Sequence, residues 1–157
     1  RRFESRLAEE ELAPGLVKAA EKGVMESLES GILMGYPVVD VKAVLTGVGT
    51  RETNGSELAF TVAASMAVRE ALSKGNAFLL DPIMAVEVIV PEDFMGEVIG
   101  DLNARGGKIE SIEPKLGVQT IKATVPLAKM FGYSTSLRSA TQGRGTFSMQ
   151  FSRFDRN

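Results

Sequence analysis

The stretch "IMAVEVIVPEDFMGEVIGDLNARGG", Ile83 to Gly107, decides the fold of the second half of the chain. Its opening "IMAVEVIV" alternates with the period of two that is typical of a β-strand. Pro91 and the two acids after it indicate the start of a helix, because negative side chains are stabilised at the positive helix end. Apolar residues then recur at helical spacing until "RGG" ends the helix. This stretch therefore predicts a strand followed by a helix.

The residues that follow complete a known order of elements. "KIESIEP" and "VQTIKATV" are predicted to be two strands joined by the turn "PKLG". A second helix is predicted roughly from Lys129 to Thr141, and "GTFSMQFSRF" alternates as a last strand. The order from Ile83 to Phe154 is therefore β-α-β-β-α-β, which indicates a ferredoxin-like domain: an antiparallel sheet with both helices on one face.

The first half of the chain predicts a second small α/β domain. A helix is expected from Pro14 until Gly31, and a second helix is expected to be capped by Ser56. Between them "YPVVDVKAVL" predicts a half-buried strand, because its valines alternate with polar residues. Alanines one turn apart in that second helix would permit close packing. "NAFLLDP" is the best boundary, so we place domains at 1–80 and 81–157 and expect an α+β protein.

Composition limits the possible functions. The 157 residues are 44% hydrophobic, with no cysteine and no histidine, which removes thiol and Ser-His-Asp catalysis and the common zinc sites. No apolar run approaches the roughly 18 residues that span a bilayer, and no signal peptide is visible. We expect a folded, soluble, cytoplasmic protein with no membrane partner. The chain begins at Arg1, as though cut from something larger.

Charge is distributed unevenly although its sum is small. The formal net charge is −2, but residues 81–113 carry two basic and eight acidic residues, and residues 134–157 carry four basic and one acidic. The second region, at net +3, gives the domain one face suited to phosphate. The acids near Glu92 and the run Glu9 to Glu11 are interpreted as a helix start and a solvated surface rather than as metal or acid/base clusters.

Two glycine-rich stretches are the candidate binding sites. In "RSATQGRGTF", glycines flank Arg144 and expose both its side chain and backbone N–H groups, an arrangement that suits phosphate oxygens. Arg138 there is also explained by the helix dipole alone. The loop "TGVGTRETNGS" carries Arg51 as its only base, and a hairpin tip without function explains it as well as an RNA contact does. No phosphate-binding loop of a nucleotide hydrolase is present.

Several stretches together are similar to the C-terminal part of bacterial translation elongation factor G. They are "AAEKGVMESLESGILMGYPVVDVK", "SELAFTVAASMA", "LLDPIMAVEVIVPEDFMGEVIGDLNARGGKI" and "VPLAKMFGYSTSLRSATQGRGTFSMQF", in collinear order over most of the chain. The resemblance implies that residues up to about Leu80 are the remainder of domain IV, with a fold similar to the second domain of ribosomal protein S5. The rest would be the complete, ferredoxin-like domain V.

The resemblance also implies partners. Domain IV would hold transfer RNA and messenger RNA at the decoding site, and domain V would dock on ribosomal RNA and the L11 region of the large subunit. The expected contact residues are Thr50, Arg51 and Asn54 in the first domain and Arg138, Gln142, Gly143 and Arg144 in the second. We expect a monomer without catalytic, metal or cofactor sites of its own, because GTP, Mg and the GTPase activity would belong to the missing part of the parent protein.

Two stretches depart from typical members of that family. The domain IV tip, which in such members reads like Y-D-G-S-Y-H-D-V-D-S-S-E, is "TGVGTRETNGSE" here, with Arg51 at the position of the histidine. A G-G-V-I-P type stretch is replaced by "EEELAPG". These differences are typical of a divergent paralogue, which would support translocation or, alternatively, ribosome recycling. An enzyme or ligand-sensing protein on a ferredoxin-like scaffold is the alternative of another class.

Overall fold

The computed structural model describes residues 1–49 and 55–156. The chain forms two compact units, Arg1–Phe78, which we call unit 1, and Leu79–Asn157, which we call unit 2. Each unit has its own helices and its own sheet. The prediction of an α+β protein built from two small domains is confirmed.

Unit 1 alternates strands and helices. Its elements are β1 (Arg2–Ser5), α1 (Pro14–Ser30), β2 (Lys42–Leu45) and α2 (Glu57–Lys74). The two strands are parallel, with Arg2 opposite Lys42. The Lys42 ammonium pairs with the Glu4 carboxylate across the strands and, together with Arg6, holds the pKa of that carboxyl below its ordinary value.

The seam between α1 and α2 is close and polar. Gly23 lies against the backbone of Thr61, where any β-carbon would collide with the carbonyl group. The Thr61 hydroxyl donates to the carbonyl of Ala19 at 2.9 Å, and the hydroxyls of Ser27 and Ser65 share a hydrogen bond of 2.6 Å. The close approach that we expected from the alanine stripe is instead made by Gly23 and these hydroxyls. The stripe itself, which consists of Ala59, Ala63, Ala67 and Ala71, is exposed.

The strand in "YPVVDVKAVL" is shorter than predicted. It covers only Lys42–Leu45, because Asp40 adopts a left-handed backbone with a φ of 56° that interrupts the extended chain. Before it, the Val38 N–H donates to the carbonyl of Leu28 at 2.7 Å and ties the connection to the end of α1. The alternation of valines therefore marked a strand correctly but overstated its length.

Unit 2 has the predicted order of elements. They are β3 (Asp81–Pro91), α3 (Met95–Ala104), β4 (Lys108–Lys115), β5 (Val118–Pro126), α4 (Tyr133–Ala140) and β6 (Thr146–Asp155). The sheet order is β4-β5-β3-β6, and every neighbouring pair is antiparallel. This is the ferredoxin-like arrangement expected from the sequence.

One face of the unit 2 sheet carries the core. Val88, Val90, Ile121 and Val125 are fully buried there, in one cluster with residues of both helices such as Leu102. Apolar side chains on alternate strand positions thus place α3 and α4 on the same side.

Helix α4 is shorter than the predicted range from Lys129 to Thr141. Gly132, with a φ of 72°, separates it from a short 3-10 turn at Leu127–Lys129.

Candidate nucleic-acid interface

The end of α4 forms a tight corner that leads into β6. The Thr141 N–H donates to the carbonyl of Leu137 at 3.0 Å, and the Gly143 N–H reaches back to the carbonyl of Arg138 at 2.8 Å. Gln142 and Gly143 both adopt left-handed backbone conformations, with φ values of 54° and 79°. Two such residues in succession turn the chain out of the helix, as in the common left-handed helix caps.

The side chain of Thr141 fastens this corner. It is 0% exposed, and its hydroxyl donates to the carbonyl of Leu137 at 2.7 Å while accepting from the Gly145 N–H at 2.8 Å. A β-carbon at Gly145 would lie 3.0 Å from Thr141 Cγ2 and 3.1 Å from Leu137 Cδ1, which is tighter than ordinary packing. Position 145 therefore favours glycine, because the corner closes directly over the end of α4. Gln142, Gly143 and Arg144 lie between Thr141 and Gly145, the two residues that this hydrogen bond joins.

The predicted contact residues of this corner come together at the surface. Arg138, Gln142, Gly143 and Arg144 are all exposed within one helix end and the turn that follows it. Among the residues that the structure describes, neither arginine forms an ion pair. Guanidinium groups without an acidic partner, on a fixed backbone, can bind phosphate oxygens bidentately.

The start of α4 is fixed by Arg105, which lies at the end of α3. Its Nη1 donates to the carbonyls of Lys129 and Phe131 at 2.8 and 3.0 Å, and its Nη2 donates to the hydroxyl of Ser136 at 3.0 Å. Its Nε bonds to Asp101 at 3.1 Å. The side chain is only 16% exposed, so this arginine is a structural clamp and not a surface cation.

Tyr133 connects the clamp to the corner. The Arg105 guanidinium lies 5.1 Å from the centre of its ring, and Phe147 at the start of β6 meets the ring edge-on at 4.9 Å. Its hydroxyl is buried and has no hydrogen-bond partner within the described part of the chain. Burial, and next the charge of Asp101, raise the pKa of this phenol to about 12. This aromatic contact thus holds the start of α4 against the start of β6.

The sequence did not point to Arg105 or Tyr133. Arg105 stands in "ARGG", where a helix end explains it fully, and three of its hydrogen bonds reach residues 24 to 31 positions away. No local pattern reports contacts of that range.

The other predicted contact residues, Thr50, Arg51 and Asn54, lie outside the described residues. What the structure gives is the two ends of their loop, which leaves β2 after Leu45 and enters α2 at Glu57. The predicted cap at that entry is confirmed, since the Ser56 hydroxyl accepts from the Ala59 N–H at 3.2 Å.

Neither a metal cluster nor a membrane span is found in residues 1–49 and 55–156. No group of three or more metal-ligating side chains comes together there. No helix of that part of the chain is long and apolar enough to cross a bilayer.

Comparison with known proteins assigns both units. The family profile described as elongation factor G, domain IV matches residues 1–76, and the profile described as elongation factor G C-terminus matches residues 78–156. The two units in this order define a pair of translation-factor domains. The chain belongs to the elongation factor G family.

A solved structure agrees with this assignment. The fold is similar to the crystal structure of a protein from Thermus thermophilus, with a TM-score of 0.81 and 33% sequence identity. The match covers 98% of this chain but only 23% of the other, so the chain spans about a quarter of the length of that relative.

Proposed function

We propose that this chain is the ribosome-binding region of an elongation factor G-like GTPase and supports the movement of transfer RNA and messenger RNA. The observation that carries the proposal is the corner after α4, where Arg138 and Arg144 are exposed without acidic partners on a backbone fastened by Thr141. A permanent cation on a fixed backbone binds phosphate without a large cost for ordering the site. Family membership makes ribosomal RNA the phosphate ligand that fits best.

The two units would then serve different contacts. Unit 2 would dock on the large subunit, at ribosomal RNA and the L11 region, through Arg138, Gln142, Gly143 and Arg144. Unit 1 would reach the decoding site, where Arg51 would contact transfer RNA or messenger RNA. GTP and Mg would be bound by another part of the full-length factor.

Ribosome pelleting with the full-length factor tests the docking surface. We expect Arg144→Ala to weaken association and to reduce its salt dependence, since each phosphate contact contributes about one unit to the slope of log K against log salt. Lys115→Ala is the matched control, because Lys115 is an exposed cation of the same unit on the β4–β5 hairpin. An equal loss of ribosome association in both variants would show that the overall positive charge drives binding, and would contradict a specific contact at the corner after α4.

A separate measurement tests the tip. We expect Arg51→Ala to leave association and nucleotide binding nearly intact and to slow translocation or recycling, each measured in its own assay. The assay that slows identifies the step that the protein serves. If Arg51→Ala impaired association while Arg144→Ala impaired only the later step, the assignment of the two units would be overturned.

A further inference from the structure

Phe131 is an aromatic residue of unit 2 whose ring is not packed into the core. It lies in the turn before α4, and 82% of its surface is exposed. Among the described residues its ring makes no aromatic contact, whereas the buried ring of Tyr133 meets the partly buried ring of Phe147. Exposing a phenylalanine so fully gives no stability to the folded chain.

The backbone that carries Phe131 is nevertheless held firmly. Its carbonyl accepts from Nη1 of Arg105, which also binds the carbonyl of Lys129 in the same turn. The next residue, Gly132, adopts a left-handed conformation that directs the chain into α4. An exposed ring on a clamped backbone is pre-organised for a partner, since little freedom is lost on binding.

The surroundings of the ring are cationic. Lys129 lies two residues before it, and Arg138 and Arg144 lie at the far end of α4; all three are exposed and have no ion-pair partner in the part of the chain that the structure describes. Between them, α4 turns Tyr133 and Leu137 to the core and leaves hydroxyls at the surface. A helix of this length rises about 12 Å, comparable to three or four stacked nucleotides at roughly 3.4 Å each.

An aromatic ring among unpaired cations fits nucleic acid better than it fits an apolar protein groove. Unpaired bases stack on phenylalanine, while arginines bind the neighbouring phosphates. The open face of the sheet offers no equivalent platform: on its central strands Glu87 lies opposite Lys122 and Ile89 opposite Thr120, without an aromatic residue. The helical side, in contrast, presents the ring of Phe131.

We propose that the turn before α4, the outer face of that helix and the corner after it form one subsite for unpaired RNA. Phe131 stacks on a base, Arg138 and Arg144 bind the adjoining phosphates, and Arg105 is a positioning residue that fixes the ring. The inference rests on the proposed function, since it names which feature of RNA the docking surface recognises.

The test uses the 157-residue chain and a single-stranded RNA ten-mer that contains 2-aminopurine at one internal position. Wild type is expected to quench the 2-aminopurine fluorescence on binding. Phe131→Leu is expected to abolish the quench and to weaken binding by roughly 5- to 150-fold, the loss of one base–aromatic stack. Phe131→Trp should retain both. Phe154→Leu is the control, because Phe154 is another exposed phenylalanine of unit 2, with its ring packed against Phe151 at 5.0 Å.

Arg144→Gln separates this inference from the proposed function. If Arg144→Gln weakens RNA binding while Phe131→Leu changes neither affinity nor quench, the stacking role is wrong and the phosphate-binding corner stands. If neither variant differs from wild type, or wild type shows no binding, both proposals fail. If Phe131→Leu weakens association of the full-length factor with ribosomes but not RNA binding, the ring contacts a ribosomal protein and the subsite is overturned. Since Phe131 is exposed, the urea unfolding midpoint of the Phe131→Leu variant should equal that of the wild type.

Discussion

The hydroxyl of Thr141 should contribute strongly to the folding stability of unit 2. Thr141→Val removes this hydroxyl with little change in the shape of the side chain. In the wild type it bridges the carbonyl of Leu137 and the N–H of Gly145 at 2.7 and 2.8 Å. In the variant the Leu137 carbonyl keeps the Thr141 N–H as a partner, but the Gly145 N–H loses its acceptor. A donor left unsatisfied costs about 1–3 kcal/mol, so we expect a loss near 2 kcal/mol.

For a unit of this size that loss lowers the melting temperature of unit 2 by roughly 8–16 °C, since 1 kcal/mol shifts it by about 4–8 °C. The shift is measured by thermal denaturation followed with circular dichroism. Thr141→Ser is the control, because serine keeps the hydroxyl and loses only a methyl group. We also expect weaker RNA binding by Thr141→Val below its melting temperature, because the corner that carries Arg144 is no longer fastened. A valine variant as stable as wild type, or less affected than the serine variant, would refute the role given to the hydroxyl.

Three further substitutions test other parts of the fold. Gly23→Ala should destabilise unit 1 by about 2–3 kcal/mol in urea denaturation, because the new methyl group meets the Thr61 carbonyl and forces α1 and α2 apart. Leu116→Asn should stabilise unit 2 by about 1 kcal/mol in the same assay, since Leu116 and Gly117 have φ values of 50° and 80°, a turn that favours Asn-Gly. Tyr133→Phe should leave stability at neutral pH unchanged or raised. The wild type should lose stability between about pH 10 and pH 12, where the unfolded phenol ionises before the folded one, and the variant should lose less over that range.

The order of elements in unit 2 was predictable because its strands are half-buried. The alternation around Val86 and Val88 reflects one face on the core and one away from it, and that pattern is local in sequence. The caps were local as well: Ser56 and Gly31 mark helix ends through their own hydroxyl or backbone conformation. Such features follow from neighbouring residues alone, and all of them could be predicted.

Features that depend on distant residues could not be predicted. The seam of unit 1 uses Gly23, the Ser27–Ser65 hydroxyl pair and the Thr61 hydroxyl where alanines seemed the better candidates, because only the folded pair of helices shows which face meets the partner. The hydrogen bonds of Arg105 could not be predicted either, because they reach residues 24 to 31 positions away in the sequence. Of the candidate site, the sequence identified the exposed arginines and the glycine at the corner. The side chain that fastens the corner, Thr141, looks in the sequence like any polar residue at a helix end.

Topology connects the two stretches that depart from typical elongation factor G sequences. Because β1 and β2 are parallel, the segments that follow them, residues 6–13 and 46–49, leave from the same end of unit 1. Helices α1 and α2 both begin at that end, where a β-carbon on Gly15 would lie 3.3 Å from the Glu57 carboxylate. Residues 6–13 and 46–49, some 40 positions apart in the sequence, therefore lie at the same end of unit 1. The acids of "EEELAPG" therefore lie at the end of unit 1 from which the segment after β2 begins, so the change in that stretch alters the surface next to the base of the tip.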